Sequence, residues 1–259
     1  MINLKTTRDI AIMREAGKIS QMALRLAGEA VKPGVSTYEI DKIVYDFIVK
    51  SGATPSFLGY GGFPASACIS LNDVVIHGIP SKKIILKEGD IVSIDVGAFY
   101  KGFHGDNAWT FACGKISDEA QKLMTATEES LFKAIEQAKI GNRLGDIGNA
   151  VEEYVKARSY SVVRDFVGHG VGAKLHEDPA VPNYGTPGRG QRLVSGMTIA
   201  IEPMVNQGSC EVEVLSDEWT TKTVDKKLSA HFEHTIAITD NGPIILTALW
   251  GVYGNWYNS

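Results

Sequence analysis

"VSIDVGAFYKGFHGDNAWTF", residues 92–111, has the pattern of a β-hairpin, with an apolar run on each side of a polar centre that contains glycine. A two-residue loop at Tyr100 and Lys101 would place Asp95 directly opposite Asp106 on the partner strand. Like charges at facing positions destabilise a sheet. The stretch therefore predicts that another part of the fold compensates two carboxylates held in the middle of a strand pair.

The composition is that of a soluble globular protein. The chain has 259 residues, of which 44% are apolar and 22% are charged, and its formal net charge is −4. This balance predicts no basic surface for nucleic acid, and the apolar runs are too short to span a membrane. Three scattered cysteines favour neither a disulfide framework nor a zinc site. The N-terminus lacks a secretory signal pattern, so we expect a cytoplasmic protein.

Helical and strand patterns alternate along the chain, which predicts a mixed α/β fold. Thr7 is predicted to cap a first helix over 8–30, whose inner face carries Ile12, Ala16, Ile19 and Ala23. No low-complexity linker divides the chain. The further predicted elements are helices after Ser36-Thr37 and over 118–138 and 143–157, strands near 66–71, 91–98, 103–111 and across most of 161–249, a polar loop at 183–192 and a hairpin turn at 240–242.

Two parts of the chain repeat the same order of motifs. LKEGDIVSID ends on Asp95, and LVSGMTIAIE ends on Glu202. Upstream of each, DVVIHG contains His77 and DFVGHG contains His169. Still further upstream, KPGVSTYEIDKIV resembles KIGNRLGDIGNAV. Internal repeats of this kind indicate duplicated structural units.

The duplication predicts a single domain over 1–259. Its two α/β halves, approximately 1–112 and 113–259, would be related by a pseudo-two-fold axis. Their sheets would join in one curved surface. The first half would contribute Asp95 and Asp106, and the second half Glu202 and Glu233, to one site between them.

A metal site would resolve the like-charge problem of the hairpin. Four converging carboxylates cannot all stay ionised in a partly buried site without cations or raised pKa values. Carboxylate oxygens joined by one imidazole suit Mn, Fe, Co or Zn ions, and hydrolytic sites with two ions hold them about 3.5–4 Å apart. The residues expected to converge are Asp95, Asp106, Glu202, Glu233 and His169.

Each of these residues also has an ordinary explanation when it is taken alone. A lone aspartate on a strand is usually exposed to solvent, and Glu202 precedes Pro203, which ends a strand ladder. Alternation in HFEHTIAI could point Glu233 outward, and the GHG sequence around His169 could be a plain turn. His77 could be a loop histidine. The duplicated order, rather than any single residue, favours the metal site.

The order D-x₁₀-D…GHGVG…H…IEP…E resembles that of the type I methionine aminopeptidases, which have the pita-bread fold. The resemblance implies a single catalytic domain over 1–259, with a curved, mainly antiparallel sheet covered by helices. The resemblance covers nearly the whole chain, and together its motifs are highly specific. The motifs that carry it are CISLNDVVIHGIPS (68–81), GDIVSIDVG (89–97), GHGVGAKLHEDP (168–179), GMTIAIEP (196–203), Glu233-His234-Thr235, MREAGK near the start and TDNGP (239–243).

The resemblance implies a metal-dependent aminopeptidase that removes the initiator methionine from nascent proteins and peptides, with a preference for a small second residue. Asp106 and Glu233 would bridge two divalent ions, Co, Mn, Fe or Zn. Asp95 would bind one ion, and His169 with Glu202 the other.

The resemblance also implies the catalytic roles. Glu202 would accept a proton from the attacking water, and His176 would donate to the oxygen that becomes negative in the tetrahedral intermediate. His77 would help to hold the scissile amide. The remaining histidines are assigned to turns, the surface or supporting contacts: His104, His231 and His234.

Apolar residues are expected to select the methionine side chain. Aromatic rings and a soft sulfur suit a flexible thioether. Two positions depart from the family pattern, because many relatives carry His where this chain has Gly61 and an aromatic residue where it has Leu175. These departures concern fine specificity. The residues that match the pocket are Tyr60, Phe63, Cys68 and Trp219.

Three other functions fit parts of the pattern. A proline-specific aminopeptidase or dipeptidase shares this fold and metal set, but such enzymes usually carry an additional N-terminal domain. A non-catalytic binding module of the same fold would not need all five ligands and both histidines, and a metal-stabilised structural domain would not explain His77 and His176.

Only 30 residues separate Glu202 from Glu233, which favours type I over the type II enzymes with their helical insertion there.

The expected partner is a nascent polypeptide or peptide with a free N-terminal methionine, and hence transient association with the ribosome. The sequence has no nucleic-acid-binding or membrane signature, and we expect a monomer. The aromatic tail ALWGVYGNWYNS (248–259) extends beyond the usual family end and is expected to pack on the surface or to form an oligomer contact.

Overall fold

The computed structural model describes residues 2–248, so that almost all of the aromatic tail lies outside the described residues. Four α-helices and fifteen strands occur within this range. The helices are α1 (Thr7–Glu29), α2 (Thr37–Lys50), α3 (Asp118–Gln137) and α4 (Leu144–Lys156). The strands are β1 (Thr54–Pro55), β2 (Ala67–Leu71), β3 (Val74–Ile76), β4 (Ile91–Tyr100), β5 (Phe103–Ala112), β6 (Ser161–Val162), β7 (Gly168–Gly170), β8 (Glu177–Val181), β9 (Thr198–Ile201), β10 (Met204–Asn206), β11 (Val212–Val214), β12 (Thr221–Thr223), β13 (Ser229–His231), β14 (His234–Thr239) and β15 (Gly242–Ile245).

The first helix begins one residue earlier than the sequence predicts. Thr6 caps it, because its hydroxyl accepts the Asp9 backbone N–H while the Asp9 carboxylate accepts the Thr6 backbone N–H. The predicted cap at Thr7 is therefore wrong. The predicted inner face is correct in part: Ala16 and Ala23 are fully buried, as is Met13, whereas Ile12 and Ile19 are half-buried at the edges of that face.

The predicted hairpin over residues 92–111 is present as β4 and β5, but its turn lies one residue further along the chain than predicted. Tyr100 pairs with Phe103, and the loop between them is Lys101-Gly102. Both loop residues have positive φ, 48° at Lys101 and 91° at Gly102. Two-residue hairpin turns of this kind favour glycine, which has no Cβ to oppose a positive φ. The predicted loop at Tyr100 and Lys101 is therefore wrong.

This register changes the relation between the two aspartates. Asp95 faces Ala108, and Asp106 faces Gly97, so the carboxylates are diagonal rather than direct neighbours. The expectation that they lie directly opposite each other is wrong. Facing residues of two paired strands point to the same side of a sheet. Both carboxylates therefore still lie on one face of the hairpin.

All described strand pairs are antiparallel, and the predicted mixed fold with a mainly antiparallel sheet is confirmed. The strands form four hydrogen-bonded sheets rather than one continuous ladder: β1-β4-β2 with β5 on β4, β13-β10-β6, β11-β12-β3, and β15-β14-β9-β7-β8. Glu233 N–H donates to the Ala108 carbonyl oxygen at 2.8 Å, which joins the β5 hairpin to the chain entering β14. This junction brings together the two parts of the chain that carry the predicted site.

Two large apolar clusters support these sheets. One packs α1 and α2 against β2 and β4, with Ile40, Val44 and Ile94 fully buried. The other packs α3 and α4 against the later strands, with Leu123 and Ile147 fully buried. Among the described residues, no helix has the length and apolar character needed to cross a membrane. The helices thus cover the sheets and leave the opposite face for a cavity.

Candidate metal centre

One cavity of about 140 Å³ brings together every residue that the sequence and the family resemblance predict for the site. Carboxylates and imidazoles line one part of it, and aromatic and aliphatic side chains line the other. The lining residues are Phe57, Tyr60, Phe63, Cys68, His77, Asp95, Asp106, His169, Leu175, His176, Glu202, Trp219 and Glu233.

Backbone geometry explains why the five predicted ligands converge. Asp95 and Asp106 share a face of the β4–β5 hairpin, and His169 is the central residue of the short strand β7. Glu202 directly follows β9, and Glu233 lies between β13 and β14. Since β7 and β14 both pair with β9, three of these positions are placed by one sheet.

The distances between these groups suit shared cations. His169 Nε2 lies 3.5 Å from Glu202 Oε1 and 3.8 Å from Asp106 Oδ2. One ligand atom each from Asp106, His169 and Glu233 lie within 4.8 Å of one another. Buried oxygens of Asp95, Asp106 and Glu233 have no hydrogen-bond partner. Unpaired buried carboxylate oxygens are costly, so the donor set fits bound metal ions.

Burial governs the protonation of these groups in the protein alone. It raises the pKa of Asp95, of Asp106 and of Glu233 well above the ordinary range, and the neighbouring carboxylates raise them further. Burial raises the pKa of Glu202 to about 8 and lowers that of His169 to about 3. Cations would favour the ionised carboxylates and the neutral imidazole that metal coordination requires.

The two other predicted histidines have different surroundings. His176 Nδ1 lies 2.8 Å from the Tyr60 hydroxyl, and its ring centroid is 4.0 Å from that of His169. The His77 ring stands edge-on to Phe166 and Trp219. Burial lowers the pKa of His77 to about 4, so this imidazole is neutral at pH 7. Both rings face the cavity without belonging to the carboxylate cluster.

The apolar part of the cavity contains the predicted pocket residues. Phe63 and Trp219 pack edge to face, with ring centroids 5.1 Å apart. Cys68 and Leu175 are buried beside them, and burial raises the pKa of the Cys68 thiol. A Cβ on Gly61 would lie 3.3 Å from the Trp219 ring, so the residue at this position borders the pocket wall.

Two residues outside the predicted site set also contribute to the site. His231, one of the histidines assigned to turns, the surface or supporting contacts, is buried with its Nε2 3.5 Å from Glu202 Oε2, which is a supporting contact. Its spacing of two from Glu233 on an extended segment was the available signal. Phe57 also lines the cavity, and its place three residues before Tyr60 in the same segment was the available signal. His104, by contrast, contacts Ser56 through Nδ1 at 2.8 Å, which agrees with a supporting role.

Comparison with known proteins agrees with this geometry. The model of metallopeptidase family M24 matches residues 11–240. The chain belongs to this metallopeptidase family. It is 58% identical over 249 residues to a methionine aminopeptidase of Clostridium perfringens, a match that spans 96% of this chain and 100% of that protein.

Solved structures place the chain within the family. The crystal structure of a methionine aminopeptidase from Thermotoga maritima matches with a TM-score of 0.95 and 47% identity, over 96% of this chain and all of that one. A prolidase from Pyrococcus horikoshii matches with a TM-score of 0.76 and 25% identity, over 95% of this chain but 63% of that one. The predicted resemblance to type I methionine aminopeptidases and the pita-bread fold are confirmed.

Proposed function

We propose that this protein is a type I methionine aminopeptidase that removes the N-terminal methionine from peptides and nascent proteins. The observation that carries the proposal is the single cavity in which four carboxylates and His169 adjoin an aromatic pocket. Identity of 58% over nearly the full length of a methionine aminopeptidase supports the same activity.

Five residues would hold two divalent ions, Co, Mn, Fe or Zn. Asp106 and Glu233 would bridge them, Asp95 would bind one, and His169 with Glu202 would bind the other. The orphaned buried oxygens of Asp95, Asp106 and Glu233 support this assignment. When bound, such ions act as Lewis acids and lower the pKa of water.

The protein's own side chains would then carry the proton transfers. Glu202 borders the carboxylate cluster and would accept a proton from the attacking water and pass it toward the leaving amine. His176 would donate a hydrogen bond to the carbonyl oxygen as that oxygen gains charge. His77, which lines the same cavity beside Trp219, would hold the scissile amide.

The aromatic pocket would take the methionine side chain. Tyr60, Phe63, Cys68 and Trp219 offer rings and a sulfur around a small volume, together with the buried Leu175. A thioether fits such a surface by dispersion and sulfur–aromatic contacts. The preference for a small second residue is carried over from the resemblance to the methionine aminopeptidases.

The proposal extends to the cellular setting. An enzyme that acts on nascent chains would work in the cytoplasm, as a monomer in transient contact with the ribosome. The net charge of −4 agrees with a protein that does not bind nucleic acid directly.

Peptide assays test the proposal. Protein reconstituted with each candidate metal is expected to release methionine from Met-Ala-Ser and to leave Xaa-Pro peptides intact. Preferential cleavage of Xaa-Pro peptides would favour the prolidase-like alternative instead. Metal binding without any peptidase activity would favour a binding module. Metal analysis of protein purified without added metal would identify the ions and their number.

A further inference from the structure

The segment before the first helix lies across the second half of the chain. Lys5 N–H donates to the Gly196 carbonyl oxygen at 2.8 Å. Ile2 packs against the core cluster that supports α3 and α4. Residues 2–5 therefore fasten the N-terminal helix to the part of the chain that carries His176.

A buried ion pair joins this segment to the first residue of β8, directly after the loop that carries His176. Lys5 Nζ lies 2.5 Å from Glu177 Oε2, and the two side chains are only 6% and 5% exposed. The other oxygen of Glu177 accepts the Lys174 backbone N–H at 3.1 Å. Lys5 Nζ also donates to the Asn3 carbonyl oxygen at 2.9 Å. Lysine and glutamate are rarely buried to this extent unless they are paired.

The loop is shaped to accommodate the pair. A Cβ on Gly172 would lie 2.5 Å from both Lys5 Cε and Glu177 Oε1, so that position has no room for a side chain while the pair is in place. Gly172 is itself held by backbone hydrogen bonds, because it accepts His104 N–H at 2.9 Å and donates to the Lys174 carbonyl oxygen at 3.0 Å. The loop is thus folded around the Lys5 ammonium group.

Strand geometry connects the pair to the cavity. Glu177 is the first residue of β8 and faces Gly170 in β7. Neighbouring side chains on an extended backbone point to opposite sides. Glu177 accordingly meets Lys5, while the preceding residue, His176, lines the cavity. A shift of Glu177 would move the His176 imidazole with it.

We propose that Lys5 and Glu177 are a positioning pair that holds the His176 imidazole in place for catalysis. The inference rests on the proposed function, in which His176 donates to the reacting carbonyl oxygen. Neither residue of the pair lines the cavity, so the pair acts through the loop and not on the substrate. Because a misplacement of about 1 Å can cost about 10²-fold in rate, loss of the pair lowers kcat without removing a metal ligand.

A double-mutant cycle tests the proposal. The variants Lys5→Met, His176→Ala and their combination are compared with the parent for kcat, KM and metal content on Met-Ala-Ser. Lys5→Met is expected to lower kcat about tenfold, with KM changed less than about twofold. In the His176→Ala background the same change is expected to lower kcat less than about twofold, because the residue through which it acts is gone. An equal loss in both backgrounds overturns the proposal.

Control variants separate positioning from stability. Lys5→Arg keeps the charge and is expected to retain most of the parent kcat. Lys101→Met removes the exposed ion pair with Glu15, 3.2 Å apart with side chains 56% and 52% exposed, and is expected to leave kcat unchanged. A lower kcat in Lys101→Met equal to that in Lys5→Met would contradict a specific role for the buried pair.

Folding and activity of the parent complete the design. Removing one partner of a buried pair leaves the other charge uncompensated, whereas removing both is far better tolerated. If Lys5→Met does not fold, the Lys5→Met/Glu177→Leu variant is carried through the same cycle, and equal losses in both backgrounds again overturn the proposal. A parent that does not cleave Met-Ala-Ser refutes the proposed function, whereas an active parent with an additive cycle refutes only the positioning pair.

Discussion

At the scale of single residues, two histidines seven positions apart have different chemistry because they have different neighbours. His169 Nε2 lies between carboxylates of Asp106 and Glu202, at 3.8 and 3.5 Å. His176 instead meets the Tyr60 hydroxyl at 2.8 Å. An imidazole among carboxylates is suited to complete a metal site. An imidazole hydrogen-bonded to a phenol is suited to present its other nitrogen to a substrate.

Replacing these two histidines should give different results. His176→Ala is expected to keep the parent metal stoichiometry and to lower kcat about 10²–10³-fold, the usual cost of one lost oxyanion donor. His169→Ala is expected to lower metal affinity, so that excess metal partly restores its activity. Metal analysis and steady-state kinetics across a metal titration measure both. Metal loss in His176→Ala like that in His169→Ala would make His176 a ligand.

At the scale of elements, one threonine joins β5, which carries Asp106, to β14, which Glu233 directly precedes. The Thr235 hydroxyl donates to the Asp106 carbonyl oxygen at 2.7 Å and accepts the Asp106 N–H at 3.1 Å. These bonds stand beside the backbone bond from Glu233 N–H to the Ala108 carbonyl oxygen, at 2.8 Å. The spacing of the two proposed bridging carboxylates therefore depends on how β5 meets β14.

Removing that hydroxyl should weaken both the fold and metal binding. Thr235→Val is expected to destabilise the protein by about 1–3 kcal/mol, since it leaves buried backbone groups of Asp106 unpaired, and to lower metal affinity. Thr239→Val is the matched control on the same strand, because its hydroxyl bonds the Gly242 carbonyl oxygen in a hairpin away from the site. Denaturant unfolding and metal titration measure both effects. Equal metal affinity in the two variants would show that Thr235 does not position the ligands.

Some elements and contacts of the fold could be predicted from the sequence, and others could not. The start of helix α2 was predicted well because Ser36, which caps it, is a strong local signal. The register of the β4–β5 hairpin was not, because it depends on which two residues adopt positive φ, and Gly102 decided that. The convergence of the carboxylates was predicted from the duplicated motifs. The contact of His231 with Glu202 was not predicted, because the spacing of His231 from Glu233 indicates only a shared side of the chain, and the approach to Glu202 arises from long-range packing.

At the scale of the whole molecule, the fold concentrates four carboxyl groups in one cavity, and neither lysine nor arginine is among the described residues that line it. The carboxylates of Asp95, Asp106, Glu202 and Glu233 have raised pKa values because burial disfavours their charged forms. In the metal-free protein they therefore hold protons that the unfolded chain would release. Stability and metal binding are linked through those protons.

Glu202 sets the pH window of this linkage. Its pKa rises from an ordinary value of 4.5 to about 8, so the folded state keeps a proton over that range while the unfolded state loses it. The contribution of Glu202 to the free energy of unfolding of the metal-free protein must therefore fall as the pH rises from 4.5 to about 8. Buried His169 and His231, with pKa values lowered to about 3, oppose this trend only below their ordinary 6.5. Above pH 6.5 the carboxyl groups determine how the stability of the metal-free protein changes with pH.

Chelated protein is accordingly expected to have a lower Tm at pH 8 than at pH 7, and added Mn²⁺ or Co²⁺ is expected to raise Tm more at pH 8. The bound ions favour ionised carboxylates, so the proton penalty no longer grows with pH, and ligands that bind only the folded state stabilise it. Calorimetry with chelator and with metal at both pH values measures the difference. Glu202→Gln, which cannot titrate, should lessen the dependence of the chelated protein's Tm on pH, while Asp95, Asp106 and Glu233 retain their share. A chelated parent that gains stability from pH 7 to 8 would mean that the cluster is already balanced by charges within the protein.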